Sequence, residues 1–354
     1  MLLNLDDYEQ QARQLLDPMA YGYYAAGADD ELTLDANRKA YRELALAYRV
    51  LASVGERRDL STSILGHPVS LPVLAAPTAF HGLATPEAEL ASVRAVTGEG
   101  SIFCLSTLSN VALEEVVKAA SGPVFFQVYI YKDRGGTKAL VERARDAGCK
   151  ALVLTVDAPV LGRRERDVRN EFRLPPGLEV KNMPAAPAIP GVKQDSGLAA
   201  YALQHLDPDL GWKDLEWLCG LTGLPVLVKG VVRPDDAVRS LEHGAAGVVV
   251  SNHGGRQLDT AVASIRALPR VAEAMAGRGE LLVDGGVRRG TDIVKALALG
   301  ARAVLLGRPI LWGLAVDGEK GVRSLLGLLR NELDQALALC GCRDLAAVDR
   351  SLLF

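Results

Sequence analysis

The nine residues SNHGGRQLD, 251–259, bring together two side chains suited to acid–base and anion chemistry. His253 carries an imidazole, which titrates near neutral pH and can accept a proton. Arg256, three residues later, carries a guanidinium that can hold a carboxylate by two parallel hydrogen bonds. The apolar run AAGVVV comes directly before them, so the pattern predicts a buried strand that ends in this polar turn.

Other apolar runs also end in residues that could do chemistry. Lys229 closes the run PVLVK, and a lysine at the end of a buried strand must meet an anion or shift its pKa. Asp157 follows LVLTV, where a carboxylate could orient His253 and make its imidazole more basic. Arg164, in LGRRERD, is a second candidate for pairing with a carboxylate.

The elements that must position these residues repeat one scheme. Helical patterns, often with acidic residues at their start and glycine after their end, alternate with short apolar runs. Continuous apolar runs of this length indicate strands that are covered on both faces. Eight alternating pairs predict an α/β fold of the (β/α)8 or TIM-barrel type. The eight runs begin at Pro72, Ser101, Pro123, Ala151, Pro225, Ala246, Glu280 and Arg302.

The active site of such a barrel lies at the carboxyl ends of its strands. The loops DGGVRRG and GRP follow the last two strands, a common position for phosphate binding in this fold. We expect Gly285 and Gly286 to let the backbone approach an anion, and Arg288 and Arg308 to supply positive charge. The polar residues at the eight strand ends are Thr78, Ser106, Gln127 with Tyr129, Thr155 with Asp157, Lys229, Ser251 with His253 and Arg256, Asp284 and Arg308.

The chain is predicted to form a single domain over residues 1–354. Residues 1–70 carry helical patterns and form an N-terminal cap, and residues 71–354 form the barrel. An insert at residues 158–213, after the fourth barrel strand, is long and rich in proline and glycine. A long irregular loop at a strand's carboxyl end is suited to act as a lid over the site.

Composition argues against several other classes of protein. The chain has 354 residues, 49% of them hydrophobic, and a net charge of −3 with its basic residues dispersed, so no nucleic-acid partner is predicted. The five cysteines are odd in number, and Cys340-Gly-Cys342 has no further ligands nearby, so neither disulfides nor a metal site are predicted. The N-terminus lacks a cationic stretch, and the uncharged run 60–86 contains four prolines. We therefore expect a cytoplasmic protein without a membrane segment.

Several stretches together resemble the FMN-dependent α-hydroxy acid oxidases and dehydrogenases, the family that includes glycolate oxidase and lactate oxidase. They are FFQVYIYKDR, LTVDAPVLGRRERD, LVKG, SNHGGRQLD, DGGVRRGTDIVKALALGA and GRP, and the likeness covers nearly the whole chain. The resemblance implies that the protein oxidises an L-2-hydroxy acid to a 2-oxo acid on FMN. The reduced flavin is then reoxidised, by O2 giving H2O2 or by another acceptor.

The resemblance also implies which residues hold the cofactor. FMN is expected to lie across the barrel mouth, with Lys229 near the flavin N1 and C2 carbonyl, where a cation stabilises negative charge on the reduced ring. Asp284 is expected at the ribityl chain. The other residues expected to contact FMN are Pro77, Thr78, Ala79, Ser106, Gln127, Thr155 and Ser251, with Gly285, Gly286, Arg288, Gly307 and Arg308 at the phosphate.

The same resemblance implies the substrate-binding and catalytic residues. His253 is expected to be the base, and Asp157 to stabilise its imidazolium form. Tyr129 is expected to hydrogen-bond the hydroxyl region of the substrate. Electrons leave as a hydride or after carbanion formation, and in both cases His253 takes a proton, from oxygen or from carbon. The residues expected to bind the substrate carboxylate are Tyr23, Arg164 and Arg256.

Leu108 departs from the glycolate oxidases, which have a tryptophan at the matching position. Because leucine is smaller and cannot donate a hydrogen bond, we predict a preference for substrates larger or more apolar than glycolate, such as lactate or longer 2-hydroxy acids. The family resemblance also implies a homo-oligomer, most commonly a tetramer.

Three alternatives remain open at this point. The first is a dehydrogenase of the same family that passes electrons to a quinone or a protein. The second is an isomerase or reductase on the same FMN barrel, and the third is a non-catalytic protein that binds a phosphate-bearing ligand. His253, Arg256 and Tyr129 argue against the last two, because they supply a base and carboxylate donors together.

Overall fold

A computed structural model describes residues 1–182 and 204–354. Most of the predicted lid insert, residues 183–203 of 158–213, therefore lies outside the described residues. Within the described residues, no helix is both long enough and apolar enough to cross a membrane.

Eight parallel strands close into a barrel, which confirms the predicted (β/α)8 architecture. They pair in chain order, and the last barrel strand returns to the first through the register Val304–Val73, Leu305–Leu74 and Leu306–Ala75. The barrel strands are β3 Val73–Ala75, β4 Phe103–Leu105, β5 Val124–Val128, β6 Ala151–Thr155, β7 Val226–Val231, β8 Gly247–Val250, β9 Glu280–Asp284 and β10 Ala303–Leu306.

Among the described residues, a helix follows each barrel strand as predicted, one further short helix lies in the insert, and three helices precede the barrel. The last helix has non-helical backbone angles at Asp317 and Gly318, where two helical segments meet at a kink. The described helices of five residues or more are α1 Leu5–Leu15, α2 Pro18–Ala25, α3 Leu32–Glu43, α4 Ala88–Gly98, α5 Leu113–Ala119, α6 Arg134–Asp146, α7 Glu165–Arg169, α8 Trp212–Thr222, α9 Pro234–Glu242, α10 Ser264–Met275, α11 Gly290–Ala298 and α12 Arg308–Cys340.

The barrel strands are apolar throughout because both of their faces are buried. Alternate residues such as Val153 and Leu227 fill the barrel interior, whereas Leu154 and Val228 pack against the surrounding helices. This arrangement produces the continuous apolar runs of the sequence, since neither face of a parallel barrel strand meets water.

A β-hairpin closes the amino end of the barrel and lies within residues 1–70, the segment predicted to form a helical cap. Its strands, β1 Thr62–Ile64 and β2 His67–Val69, are antiparallel. Ile64 and Val69 belong to the same apolar cluster as the barrel interior. The hairpin therefore covers the end of the barrel opposite to the one where the polar strand ends meet.

Candidate active site

The carboxyl ends of the barrel strands surround one pocket, and nearly all the predicted site residues line it. Asp157 and Ser251 do not line the pocket; each lies behind a residue that does and forms hydrogen bonds to it. The predicted residues in the lining are Tyr23, Pro77, Thr78, Ala79, Ser106, Leu108, Gln127, Tyr129, Thr155, Arg164, Lys229, His253, Arg256, Asp284, Gly285, Gly286, Arg288, Gly307 and Arg308.

His253 is held in one orientation by the loop after β8. Its backbone has a φ of 58° and its backbone N–H donates to the Ser251 Oγ at 3.0 Å. Gly254 and Gly255 follow with φ of 66° and 74°. Three successive residues therefore adopt a left-handed backbone conformation, which is unfavourable for any residue that has a Cβ. Backbone strain of this kind is typical of functional sites.

Asp157 forms a hydrogen bond to the inner nitrogen of this imidazole. Asp157 Oδ1 lies 2.8 Å from His253 Nδ1, which leaves Nε2 as the nitrogen free to face the pocket. The backbone comes close to the carboxylate at Gly230, where a Cβ would lie 2.6 Å from the Cβ of Asp157. Only glycine fits there, because its φ of +111° also disfavours any side chain.

The electrostatics of this pair differ in part from the prediction. Burial lowers the pKa of His253 below its ordinary value of 6.5, and Asp157 opposes that shift without cancelling it. The carboxylate thus acts in the predicted direction, but burial outweighs it and the imidazole is not more basic overall. Burial would raise the pKa of Asp157, yet His253 and Lys229 hold that pKa below its ordinary value. The resting pair is therefore a neutral imidazole beside a carboxylate.

Lys229 extends from β7 into the same rim and is almost fully buried. Its Nζ donates to the Ser251 Oγ at 3.0 Å and lies 3.1 Å from Asp284 Oδ2. Burial would lower the pKa of Lys229, but Asp284 and Asp157 raise it above its ordinary value, so the ammonium stays charged. The rim consequently carries a fixed cation between β6 and β9.

Two arginines and a tyrosine form the opposite wall of the pocket. The Arg256 guanidinium lies 5.1 Å from the centre of the Tyr23 ring, and its Nη1 donates to the carbonyl oxygen of Tyr23 at 2.8 Å. Arg164 is only 5% exposed, and its Nη1 lies 3.9 Å from Asp167 Oδ2. Burial lowers the pKa of Arg256 to about 10, and Arg164 adds to the shift. Two cations this close together make the wall attractive to an anion.

Helix α2 brings Tyr23 to this wall. Asp17 caps the helix by accepting the backbone N–H of Met19, and Pro18 occupies the first turn. The Tyr23 ring stacks on Phe172 with ring centres 4.2 Å apart, so residues from the N-terminal cap and from the insert meet over the barrel.

Two arginines lie at the phosphate end of the predicted cofactor site. Arg288 and Arg308 both line the pocket, and burial lowers the pKa of Arg288 to about 10. Arg308 donates to the carbonyl oxygens of Tyr24, Ala26 and Gly254. Within residues 1–182 and 204–354, neither guanidinium forms a hydrogen bond to a carboxylate, which suits the binding of a phosphate dianion.

The glycines at this end differ in how closely other atoms surround them. A Cβ at Gly286 would lie 2.1 Å from the carbonyl oxygen of Asn37 in α3, so its absence permits close packing of the cap. At Gly307 the nearest atom to a Cβ would be the Thr78 methyl at 3.5 Å, an ordinary van der Waals contact. The predicted approach of the backbone at Gly285 and Gly286 to an anion stays a prediction.

Buried polar atoms without a hydrogen-bond partner test whether FMN fits. Within residues 1–182 and 204–354 these include Gln127 Nε2, Asp284 Oδ1 and Arg288 Nε, all on residues that line the pocket. Such atoms are rare unless a ligand or water satisfies them. An amide donor, a carboxylate acceptor and a guanidinium donor match the flavin edge, the ribityl hydroxyls and the phosphate of FMN respectively.

Some pocket residues were not predicted from the sequence. Tyr24, Gln257 and Leu206 line the pocket, and the buried Asp167 lies beside Arg164. Gln257 donates from its Nε2 to the carbonyl oxygen of Asp157 and so ties the two catalytic loops together. It lies within SNHGGRQLD, next to Arg256, so the same motif could have indicated it. No local pattern distinguishes the other three.

The fold and this pocket define a class of protein, the (β/α)8 flavoenzymes that bind FMN at the barrel mouth. The model of the FMN-dependent dehydrogenase family matches residues 12–354, and the chain belongs to that family. Its cofactor is accordingly FMN, as predicted.

Relatives of the chain include several oxidases. It is 53% identical to the L-lactate oxidase of Nostoc sp., over 99% of this chain and 98% of the relative. It is 47% identical to the glycolate oxidase of Spinacia oleracea, over 99% and 95% of the two chains. Among solved structures, mandelate oxidase with (S)-4-hydroxymandelic acid has a TM-score of 0.96 at 41% identity, covering 100% of this chain and 98% of that one.

Proposed function

We propose that this protein is an FMN-dependent oxidase that converts an L-2-hydroxy acid to the 2-oxo acid and passes the electrons to O2, giving H2O2. The observation that carries the proposal is one pocket in which a neutral imidazole, backed by a carboxylate, faces two arginines. The lactate, glycolate and mandelate oxidases to which the chain is similar support the same activity.

The arginine wall binds and orients the substrate in this proposal. Arg256 and Arg164 hold the carboxylate, and the Asp167 carboxyl group beside them limits the unpaired positive charge before substrate binds. A guanidinium fixes a carboxylate by two parallel hydrogen bonds, so the α-carbon takes a defined position relative to His253. Tyr23 supports Arg256 by lying beneath its guanidinium.

His253 Nε2 accepts the proton that the substrate loses, because Nδ1 is already engaged by Asp157. The positive charge that then forms on the imidazole is stabilised by the carboxylate 2.8 Å away. Burial raises the pKa of Tyr129 to about 12, so its hydroxyl stays protonated and can donate to the substrate oxygen. His253, Asp157 and Tyr129 are therefore the proposed catalytic set.

The chemistry that FMN would supply in this pocket is a two-electron acceptor for the substrate α-carbon. The chain's contribution on that side is Lys229, whose charge Asp284 and Asp157 maintain in a buried position. A fixed cation at the rim stabilises negative charge that develops beside it during reduction.

Anaerobic mixing with a panel of hydroxy acids tests the proposed function. We expect lactate or a longer L-2-hydroxy acid to bleach the flavin absorbance, and later addition of air-saturated buffer to restore it rapidly with formation of H2O2. Rapid bleaching with slow reoxidation by O2 but fast reoxidation by a quinone would instead assign a dehydrogenase. No bleaching by any hydroxy acid would overturn the proposal.

Leu108→Trp is expected to shift the substrate preference towards glycolate. Leu108 lines the pocket, and a larger side chain would fill space that a methyl or longer substituent occupies. The ratio of kcat/KM for lactate to that for glycolate should fall about tenfold or more, the usual effect of a methylene-sized misfit. Leu108→Met, which nearly conserves volume, is the control, and an unchanged ratio in Leu108→Trp would contradict the assignment.

The pH dependence of flavin reduction should report the pKa of His253. The base must be neutral to accept a proton, so kcat/KM rises as pH increases through that pKa and then levels off. Because burial lowers the pKa of His253 below 6.5, the acidic limb should lie below pH 6.5. Stopped-flow reduction between pH 5 and 9 measures it, and Asp157→Asn should move the limb lower still, since the carboxylate raises this pKa. A limb above pH 6.5 in the unmodified protein would argue against His253 as the base.

Predictions about assembly, domain boundaries and compartment rest on the family resemblance and the sequence. We propose a homotetramer of single-domain chains in the cytoplasm, with residues 158–213 acting as the lid. Light scattering, limited proteolysis and cell fractionation test these proposals separately.

A further inference from the structure

His81 is a buried histidine that the sequence did not single out. It begins a short 3-10 turn, His81–Leu83, directly after Phe80, and is only 1% exposed. Its ring lies edge-on to Phe103, with ring centres 6.0 Å apart. Burial lowers the pKa of His81 to about 3, so the ring is neutral at any pH at which the enzyme works. Exactly one nitrogen of a neutral imidazole carries a proton.

Both ring nitrogens of His81 are engaged. Nδ1 lies 2.8 Å from the Oγ of Ser92 in α4, and Nε2 lies 2.7 Å from the Oγ1 of Thr78. The nearby buried carboxylate of Glu89 accepts the backbone N–H of His81 and of two later residues, and forms no bond to the ring. The ring therefore connects one buried hydroxyl with one hydroxyl at the edge of the FMN pocket.

The direction of this chain of hydrogen bonds follows from Ser92. Its side chain is fully buried, and His81 is its only hydrogen-bond partner among the described residues. A buried hydroxyl that donates to nothing is costly, so Ser92 donates to Nδ1. The ring proton then resides on Nε2 and is donated to Thr78.

Thr78 consequently cannot use His81 as an acceptor for its own hydroxyl hydrogen. Its methyl group lies towards Gly307, and no other partner of its hydroxyl is found in the described part of the chain. Thr78 is half-buried and lines the pocket, so the pocket is where its hydrogen can find an acceptor.

We propose that Ser92 and His81 are positioning residues that fix the Thr78 hydroxyl as a hydrogen-bond donor to the flavin. A donor at the ring stabilises the electron-rich reduced form and so makes reduction more favourable. The inference rests on FMN occupying this pocket, and it does not depend on which substrate the enzyme oxidises.

The redox equilibrium of the bound flavin against a reference dye tests the proposal without any hydroxy acid. His81→Leu should shift this equilibrium towards oxidised flavin by about tenfold, the effect of losing one hydrogen bond of roughly 1.4 kcal/mol. Thr78→Val should produce a similar shift. The variant that combines His81→Leu with Thr78→Val should show little more than either single variant, because the Ser92 hydroxyl, the His81 imidazole and the Thr78 hydroxyl form one chain of hydrogen bonds.

Two amide variants separate positioning from packing. The Gln amide at residue 81 reaches about as far as Nε2 and can donate to Thr78, whereas the Asn amide reaches only to the position of Nδ1, beside Ser92. His81→Gln should therefore restore the equilibrium towards that of the unmodified enzyme, and His81→Asn should not. Equal shifts in both would overturn the proposal.

Ser92→Ala provides a second route if the His81 variants fold poorly or lose FMN. It removes one oxygen atom and with it the donor that fixes the ring proton on Nε2, so both tautomers of the neutral ring become accessible and the Thr78 hydroxyl is no longer held as a donor. The redox equilibrium should shift in the same direction as in His81→Leu, but by less. An unchanged equilibrium with full FMN content would show that the Thr78 hydroxyl is oriented by something other than this chain.

Discussion

His253→Ala is expected to slow anaerobic flavin reduction by about 10²–10⁴-fold while FMN stays bound. The imidazole is the proposed proton acceptor, and its Nε2 is the nitrogen left free by the 2.8 Å hydrogen bond between Nδ1 and Asp157. Most of the proposed flavin contacts, by contrast, come from other strands and the loops that follow them, among them Gln127, Lys229 and Arg288. Loss of the ring should therefore remove the chemistry and leave the absorbance of bound flavin nearly unchanged.

His243→Ala is the matched control for this experiment. His243 follows α9 and pairs with Glu216 at 2.7 Å, away from the pocket. Its replacement should leave the reduction rate unaltered. If His253→Ala reduced its flavin as fast as the unmodified enzyme, the assignment of the base would be wrong. If it lost FMN instead, the residue would have to be assigned to cofactor binding.

Asp157→Asn should lower the same rate for a separate reason. The amide can still hold the ring in place, but it cannot stabilise the imidazolium that forms when His253 takes the proton. The comparison between the two variants therefore separates proton acceptance from charge stabilisation. Their effects should not be additive, since residues that act as a unit lose most of their function together.

The barrel could be predicted because the continuous apolar sequence of each strand indicates that both of its faces are buried. Eight apolar runs that end in polar residues specify both the parallel strands and the rim where the site forms. The hairpin Thr62–Val69 could not be predicted in the same way. Its strands have three residues each, Pro68 lies within one of them, and proline within a run argues against a strand.

Contacts between distant segments were the main feature that sequence patterns could not supply. The carbonyl oxygens that accept from Arg256 belong to Tyr23 and Ala26, which lie 233 and 230 positions earlier in the chain. Phe172, in the insert, stacks on Tyr23. The hydrogen-bond chain through His81 depends on α4 packing against the first barrel strand's loop. The sequence identifies the chemical groups at the rim of the barrel, but tertiary packing determines their pKa values and the directions of their hydrogen bonds.

The lowered pKa of His253 illustrates the difference between what the sequence indicates and what tertiary packing adds. The sequence indicates a carboxylate nearby, which by itself raises the pKa of an imidazole. Only the structure adds the depth of burial and the positive charges of Lys229 and Arg164, and together these reverse the sign. A base that is neutral at rest but stabilised once it is protonated fits the proposed oxidation better than one already charged.

Arg256→Met is expected to lower kcat/KM for the hydroxy acid by about 30-fold to several thousand-fold, the cost of about 2–5 kcal/mol for truncating one member of a desolvated charge pair. The side chain lies over the Tyr23 ring and lines the pocket together with it, and methionine keeps much of its apolar volume. The loss should therefore reflect the missing guanidinium rather than a collapsed wall. Arg256→Lys should recover part of the rate, since a lysine restores charge but not two-pronged hydrogen bonding.

The amide of the same substrate distinguishes carboxylate binding from a structural role. A 2-hydroxy amide keeps the α-carbon and the hydroxyl but has no negative charge, so Arg256→Met should reduce its turnover far less than that of the acid. Arg13→Met is the matched control, because Arg13 also lies over a tyrosine ring, 5.7 Å from the centre of Tyr21, but outside the pocket. If acid and amide lost activity equally in Arg256→Met, Arg256 would be supporting the wall rather than pairing with the substrate. A selective loss for the acid would establish that the residue three positions after His253 holds the carboxylate next to the centre that loses its proton.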